Sequence, residues 1–190
     1  MSQLLIPDAG PLFSLAAGGL LELLLHFRVV ITDVVKMETI DRGLGADGSD
    51  EASSLARFYR IHQEHISVER TQVGHLIELA RKQDVNAPLS NAGELSIQSL
   101  VLHLAAVKRP AQTVVLFEDG WFLRNQTSFH PSCVLLSTAG FLEAAESLGL
   151  IASAADARMA IAARRPHFYS GGASPGSKKG LRIRPRRPPS

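Results

Sequence analysis

The chain has 190 residues, 45% of them hydrophobic, which is enough for one packed domain with an appendage, and a formal net charge of +2. The lone Cys133 excludes an intramolecular disulfide, and no Cys/His set has the spacing of a structural zinc site, a usage that suits a reducing cytoplasm. Met1-Ser2-Gln3 lacks a basic region, and Pro7, Asp8, Pro11 and Glu22 interrupt the apolar stretches near it, so a soluble cytoplasmic protein is expected, with no signal peptide and no membrane span. The small net charge hides a division. Residues 1–163 hold all eighteen acidic side chains against twelve basic ones, a formal −6, whereas Arg164–Ser190 carries +8 and no acid.

Leu4 to Pro7 reads as a fully buried first strand, ending at Asp8. Leu12 to Phe27 is apolar and helical, as one helix or two, with Gly18-Gly19 as the break. Arg28 to Thr32 is β-branched and strand-like, and Asp33 is placed to cap a short helix Val34–Asp41. After a glycine-rich loop, Gly43 to Gly48, Ser49, Asp50 and Glu51 begin a helix to about His62, with acids in its first turn to complement the helix dipole. Ile66 to Val68 is a weak third strand, followed by helix Val73–Lys82 and a polar loop through Pro88. Asn91 to Val107 is the most helical segment, closed by Pro110. Thr113 to Phe117 is a clear fourth strand ending at Glu118-Asp119, Cys133 to Leu136 a fifth, and helices Thr138–Leu148 and Ser153–Arg164 complete the folded part.

Strands separated by helices predict a parallel sheet in a three-layer α/β/α sandwich over residues 1–165. Residues 166–190, rich in Pro, Gly, Ser and basic side chains, cannot bury enough apolar surface to offset the entropy of ordering, and are expected to form a disordered tail. Its Lys178, Lys179, Arg182, Arg184, Arg186 and Arg187 suit either an auxiliary contact to RNA phosphates or a solvated extension.

In parallel sheets ligands collect at the carboxyl ends of the strands, where Asp8 stands. Glu38, Glu94 and Asp119 are the other acids in a position to converge there. Two carboxylates 4 Å apart repel by about 4 kcal/mol at an effective dielectric of 20, so a cation is needed to make such a cluster tolerable. An all-oxygen set suits Mg²⁺ or Mn²⁺, which activates a water for in-line attack on a phosphoryl group.

Four segments carry a resemblance. Ile6-Pro7-Asp8-Ala9-Gly10-Pro11-Leu12 with Leu15-Ala16, Thr32 to Glu38, Gly93-Glu94-Leu95-Ser96-Ile97, and Leu116-Phe117-Glu118-Asp119 with Arg124 are similar, in order, to the acidic motifs of PIN-domain ribonucleases, the family that includes VapC-type toxins. The resemblance spans roughly residues 4–136. It implies a parallel sheet flanked by helices and Mg²⁺- or Mn²⁺-dependent cleavage of RNA. It makes Asp8 the central metal ligand and Glu38, Glu94 and Asp119 its companions. It leaves open whether Glu118 or Asp119 faces the site, and gives Arg124 a contact to substrate phosphate. Ala9 and Gly10 stand where the family often has hydroxyl residues. A cognate antitoxin and a homodimer are the partners it implies.

Each acid also has a structural alternative. Asp8 could cap the helix after it, Asp119 could cap a helix at Gly120-Trp121, Glu38 could lie on a solvated face, and Asn91-Ala92-Gly93-Glu94 has the spacing of a capping box. Gly43 to Gly48 spells GxGxxG but follows a predicted helix, where a dinucleotide fingerprint needs a strand. His62 and His65 have no third ligand nearby in sequence; Trp121, Phe122 and Phe129 read as packing, and Cys133 as a core residue. The chain is thus expected to be a metal-dependent endoribonuclease, the toxin of a toxin–antitoxin pair. The alternative is a catalytically impaired PIN-like module that binds nucleic acid or protein.

Overall fold

The computed structural model describes residues 3–45, 48–84, 90–107 and 112–166. The proposed tail beyond Pro166, the loop around Pro88 and Pro110 lie outside the described residues.

Five strands, β1 (Leu4–Pro7), β2 (Arg28–Thr32), β3 (Ile66–Glu69), β4 (Thr113–Phe117) and β5 (Cys133–Ser137), form one sheet in the order β3-β2-β1-β4-β5. Every pairing is parallel. Helices flank this sheet in an α/β/α arrangement, and the predicted fold class holds. Central strands of such a sheet are covered on both faces, which is why Leu4-Leu5-Ile6 and Val114-Val115-Leu116 are continuous apolar runs and are buried throughout.

The helices are α1 (Ala9–Ala17), α2 (Asp33–Thr39), α3 (Asp50–His62), α4 (Gln72–Gln83), α5 (Ala92–Ala106), the single turn α6 (Trp121–Arg124), α7 (Thr138–Ser147) and α8 (Ala154–Arg164). The stretch predicted as Leu12–Phe27 divides at Gly18-Gly19 into α1 and a 3₁₀ segment, Leu21–His26. Gly19 takes φ +68°, a conformation that Gly adopts without strain. Helix α1 begins earlier than predicted, because Pro11 in its first turn fits where amides are free of intrahelical bonds. The cap of α2 is also corrected: Thr32, not Asp33, accepts from the Val35 amide. Asp33 instead receives the Thr71 hydroxyl (2.8 Å) and amide (3.2 Å), tying α2 to the start of α4.

This strand order fixes where a ligand can enter. From β1 the chain moves outward through β2 and β3, then returns to add β4 and β5 on the other side, so the direction of winding reverses between β1 and β4. Pro7 pairs with Leu116, and the Asp8 amide continues the ladder to the Leu116 carbonyl at 3.0 Å. Asp8 and Glu118 therefore follow neighbouring strands at the topological switch, the usual crevice of an open α/β sheet.

Candidate functional site

Asp8 is 7% exposed and occupies the N-cap position of α1, yet its side chain makes no capping bond. Thr32, Ser49, Thr71, Ser137 and Ser153, in the equivalent position of their helices, all do. The capping alternative for Asp8 thus describes its place in the chain but not its carboxylate. Burial, and after it the Glu94, Glu38 and Glu118 carboxylates, push Asp8 from its ordinary 3.8 up to about 7, with only partial opposition from the Ala9 amide.

Glu38 comes from α2 and Glu94 from the first turn of α5. A Cβ built on Gly93 would stand 2.8 Å from Glu38 Oε2 and 3.4 Å from Asp8 Oδ1, so these two carboxylates face one patch of bare backbone. Glu38 is raised as well, first by burial and then by Glu94, while Arg42 and Arg81 act in the opposite direction. The capping-box alternative at Asn91 gains no bond from the Asn91 side chain: Asn91 is left-handed (φ 56°) and makes no side-chain cap.

A chain of buried hydroxyls holds this side together. Ser96 Oγ donates to the Gly93 carbonyl at 2.6 Å, which uses its only proton. In the Thr32–Ser96 contact (2.7 Å) the donor is therefore Thr32, whose oxygen also accepts the Val35 amide (3.1 Å). One relay thus joins the end of β2, the start of α2, which carries Glu38, and the first turn of α5, which carries Glu94.

At the end of β4 the structure separates the two adjacent acids. Glu118 turns inward: Oε1 accepts the Thr138 hydroxyl at 2.8 Å, Oε2 lies 3.5 Å from Arg165 Nη1, and a Cβ on Gly10 would come within 3.1 Å of that oxygen. Asp119 turns outward. Its Oδ1 accepts the Trp121 amide at 2.6 Å and faces Arg124 at 3.7 Å, with both side chains largely exposed. Asp119, expected in the ring, does not bear on Asp8 and serves the turn before α6, whereas Glu118 does bear on it. The reason is the pleat: successive side chains leaving a strand point to opposite faces. Arg124, expected to contact substrate, pairs with Asp119.

Sequence reasoning missed Arg165, Thr138, Thr32 and Ser96 as parts of this site. Arg165 reaches the Gly10 carbonyl across 155 positions, a contact with no local signature. Ser96 did carry one, a hydroxyl on the buried stripe Gly93, Ser96, Ile97, Leu100, Val101 of α5.

The remaining motifs have structural roles. Gly43 packs against the Ala52 carbonyl, leaving no room for a Cβ, and lies in a 3₁₀ turn, not after a strand. Trp121, Phe122 and Phe129 pack together with ring centroids 5.4 to 6.3 Å apart. Burial pushes Cys133 up to about 12, far from a reactive thiolate.

The donor set, carboxylate oxygen throughout and set against bare backbone at Gly93, has the chemistry of a hard divalent cation site. Among the described residues, no three His, Cys, Asp or Glu side chains form a group that could hold a metal ion as they stand. No family model, curated protein or solved structure matches the chain. Among the described residues no helix is long and apolar enough to cross a membrane.

Proposed function

We propose that the chain is a metal-dependent endoribonuclease of the PIN type, hydrolysing RNA phosphodiesters with Mg²⁺ or Mn²⁺. The observation that supports this most is the gathering of Asp8, Glu38, Glu94 and Glu118 at the switch point of a parallel sheet, with Asp8 buried among like charges. Such an arrangement destabilises the fold unless a cation or a proton relieves it, and its persistence calls for a function.

Asp8, Glu38 and Glu94 would hold the ion, with Asp8 as the rigid member because the sheet fixes its backbone. Once bound, the ion supplies an activated water and neutralises charge on a phosphoryl oxygen. Asp8 must lose its proton to act as a ligand, so activity rises with pH through the region of 7. Arg42 and Arg81, whose charges act on Glu38, and the exposed Arg124 attract the flanking phosphates of the RNA. No side-chain nucleophile takes part.

The role of toxin in a toxin–antitoxin pair follows from the same reading, with an antitoxin and a second copy of the chain as partners. Exposed Leu76 and Leu79 on α4, and Leu95 and Leu102 on α5, a helix packed against it, offer apolar surface for one of them. A short neighbouring reading frame with a DNA-binding N-terminus would support this role.

The deciding experiment is cleavage of single-stranded RNA by the purified chain with Mn²⁺, beside Asp8→Asn. Cleavage by the parent that is lost in a folded variant is the expected result. A parent that binds RNA without ever cutting it would overturn the enzyme in favour of a binding module.

A further inference from the structure

We propose that the basic C-terminal segment, residues 167–190, docks in cis over the acid crevice around Asp8, with Arg165 as the anchor that starts it there. The occupant of the crevice mouth is thus a part of this same chain.

The anchor is observed directly. Arg165 is the C-cap of α8, and with Arg164 it opens the stretch of +8 that runs to Ser190. Its Nη1 donates to the Gly10 carbonyl at 2.7 Å and to the Ser14 hydroxyl at 2.6 Å, and lies 3.5 Å from Glu118 Oε2. The centre of the guanidinium is 5.9 Å from the centre of the Phe13 ring. Ser14 is fully buried, so these contacts reach into the first turns of α1. Packing fixes the helix that carries the anchor: Ala154, Ala157 and Ile161 are buried, and a Cβ on Gly18 would meet Ile161 Cγ1 at 2.8 Å. The chain therefore leaves its last described helix beside Asp8, at the carboxyl edge of the sheet.

What Arg165 leaves undone defines the rest of the surface. Of the four acids gathered around Asp8, Glu118 alone has an ion pair among the described residues, and its partner is this arginine. Asp8, 7% exposed, has only the Ala9 amide in favour of its charge. Glu38 is disfavoured by burial and by Glu94, and Arg42 and Arg81 act on it without forming an ion pair. Residues 1–163 are formally −6, whereas the chain beyond Arg165 supplies Lys178, Lys179, Arg182, Arg184, Arg186 and Arg187 and no acid. The seat of Arg165 shows the chemistry that the crevice accepts, a guanidinium shared among a carboxylate, a carbonyl and a hydroxyl.

The segment is long enough to repeat that contact. Lys178 follows Arg165 by thirteen residues, a backbone that spans up to about 45 Å, and a body of this length has a radius of gyration of about 15 Å. All six cations can therefore reach Glu38 and Glu94, at an effective concentration on the order of millimolar. Exposed ion pairs are individually weak and screened by salt, so the docking is a sum of several and is lost when the Debye length shrinks to about 3 Å in 1 M salt. A polyanion competes for the same cations. Single-stranded RNA would draw the segment off the body and uncover Asp8, Glu38 and Glu94. The docking requires neither a metal nor any reaction at the crevice, so it stands apart from the nuclease reading.

The test is zero-length cross-linking of the full chain in EDTA and about 50 mM salt. A water-soluble carbodiimide joins a carboxylate to a lysine amine with loss of water, and mass spectrometry of the monomer locates the bond. Lys178 and Lys179 are the lysines of the segment, and they are expected to link to Glu38 or Glu94. The yield should fall by about fivefold or more in 1 M NaCl, and likewise with poly(U). Arg165→Met, which frees the anchor, should lower it about threefold. Exposed Glu22 and Glu64 precede β2 and β3, at the opposite edge of the parallel sheet, and serve as controls. Equal linking to Glu22 or Glu64, links between two chains only, or a yield unmoved by poly(U) overturns the docking. An unchanged yield in folded Arg165→Met overturns the anchor, and if that variant does not fold, the parent with and without salt decides. Neither cleavage nor ion binding is read, so failure here leaves the nuclease proposal standing.

Discussion

The two flanks of Asp8 deal with like charge in opposite ways. On the β4 side, Glu118 is matched by a guanidinium and a hydroxyl, and its cost is met inside the fold. On the β2 side, Glu38 crowds the Gly93 backbone and is raised by Glu94, and the bonds there are spent on holding the scaffold, through Thr32, Ser96 and the Gly93 carbonyl. One flank is a finished ion pair and the other is an unfinished one. Acid count alone does not define a metal site; what matters is which carboxylates still lack a cation.

The largest effect falls on the residue between the flanks. Asp8→Asn should lower Mn²⁺-dependent RNA cleavage on the order of a thousandfold, as loss of a principal electrostatic group does, while the far-ultraviolet circular dichroism is unchanged. Retained cleavage would mean that the flanks do not share a catalytic centre.

The same residue sets a pH dependence. Its folded-state pKa of about 7 lies above the ordinary 3.8, so the folded chain holds the proton more tightly than the unfolded chain. That stabilisation is complete below 3.8 and is lost as pH rises towards 7. The loss amounts to a few kcal/mol, at about 1.4 kcal/mol for each pH unit between the two values, and Glu38 adds to it in the same direction. In EDTA, the melting temperature of the parent should therefore fall from pH 5 to pH 8, that of Asp8→Asn should fall much less, and Mn²⁺ should restore the parent at pH 8. Parallel profiles for the two proteins would show that Asp8 is not the strained group.

Ser96→Ala sharpens the comparison on the scaffold side. It strands the buried Thr32 hydroxyl, while the Gly93 carbonyl keeps its helical acceptor role, and should cost about 1–3 kcal/mol in urea unfolding. Thr32→Val combined with it should cost less than the two separately, since both belong to one relay. Strict additivity would mean the hydroxyls act independently.

Gly93→Ala affects the ion and spares the fold. The new methyl would crowd Glu38 Oε2, whose half-buried side chain can turn away, and Ala favours a helix over Gly by about 1 kcal/mol. Mn²⁺ affinity should fall about tenfold with stability held or raised. The smallest effect belongs to Asp119→Asn. Its amide oxygen can still accept the Trp121 amide, and cleavage should stay within about threefold of the parent. A collapse of activity there would return the fourth acid to Asp119.

Much of the architecture was legible because burial on both faces forces strands to be apolar and short, and helices to begin at hydroxyl or acidic caps. Leu4–Pro7, Arg28–Thr32 and Thr113–Phe117 are where that signal predicted them, and the helices expected to begin at Ser49 and Ser153 do begin there, with those serines as caps. Asp8, Glu38 and Glu94 were legible as acids at the ends of these elements. Glu118 and Asp119 were not separable, because adjacency gives both the same motif and only the orientation of the strand end distinguishes them. The cap of α2 was misplaced by one residue, since Thr32 and Asp33 are both competent caps, and Asp33 was drawn off by Thr71 from 38 positions away.

The chain alone therefore determined an alternating α/β fold, an acidic body with a basic end, and a set of acids spaced to meet at one edge of a sheet. It did so because those properties are periodic or local. Tertiary structure alone decided which acids meet, and which of them is already neutralised. The direction of a carboxylate at a strand end depends on the register of β1 with β4. The hydroxyls and the guanidinium that hold it come from residues remote in sequence, whose contacts leave no trace in any short stretch of the chain.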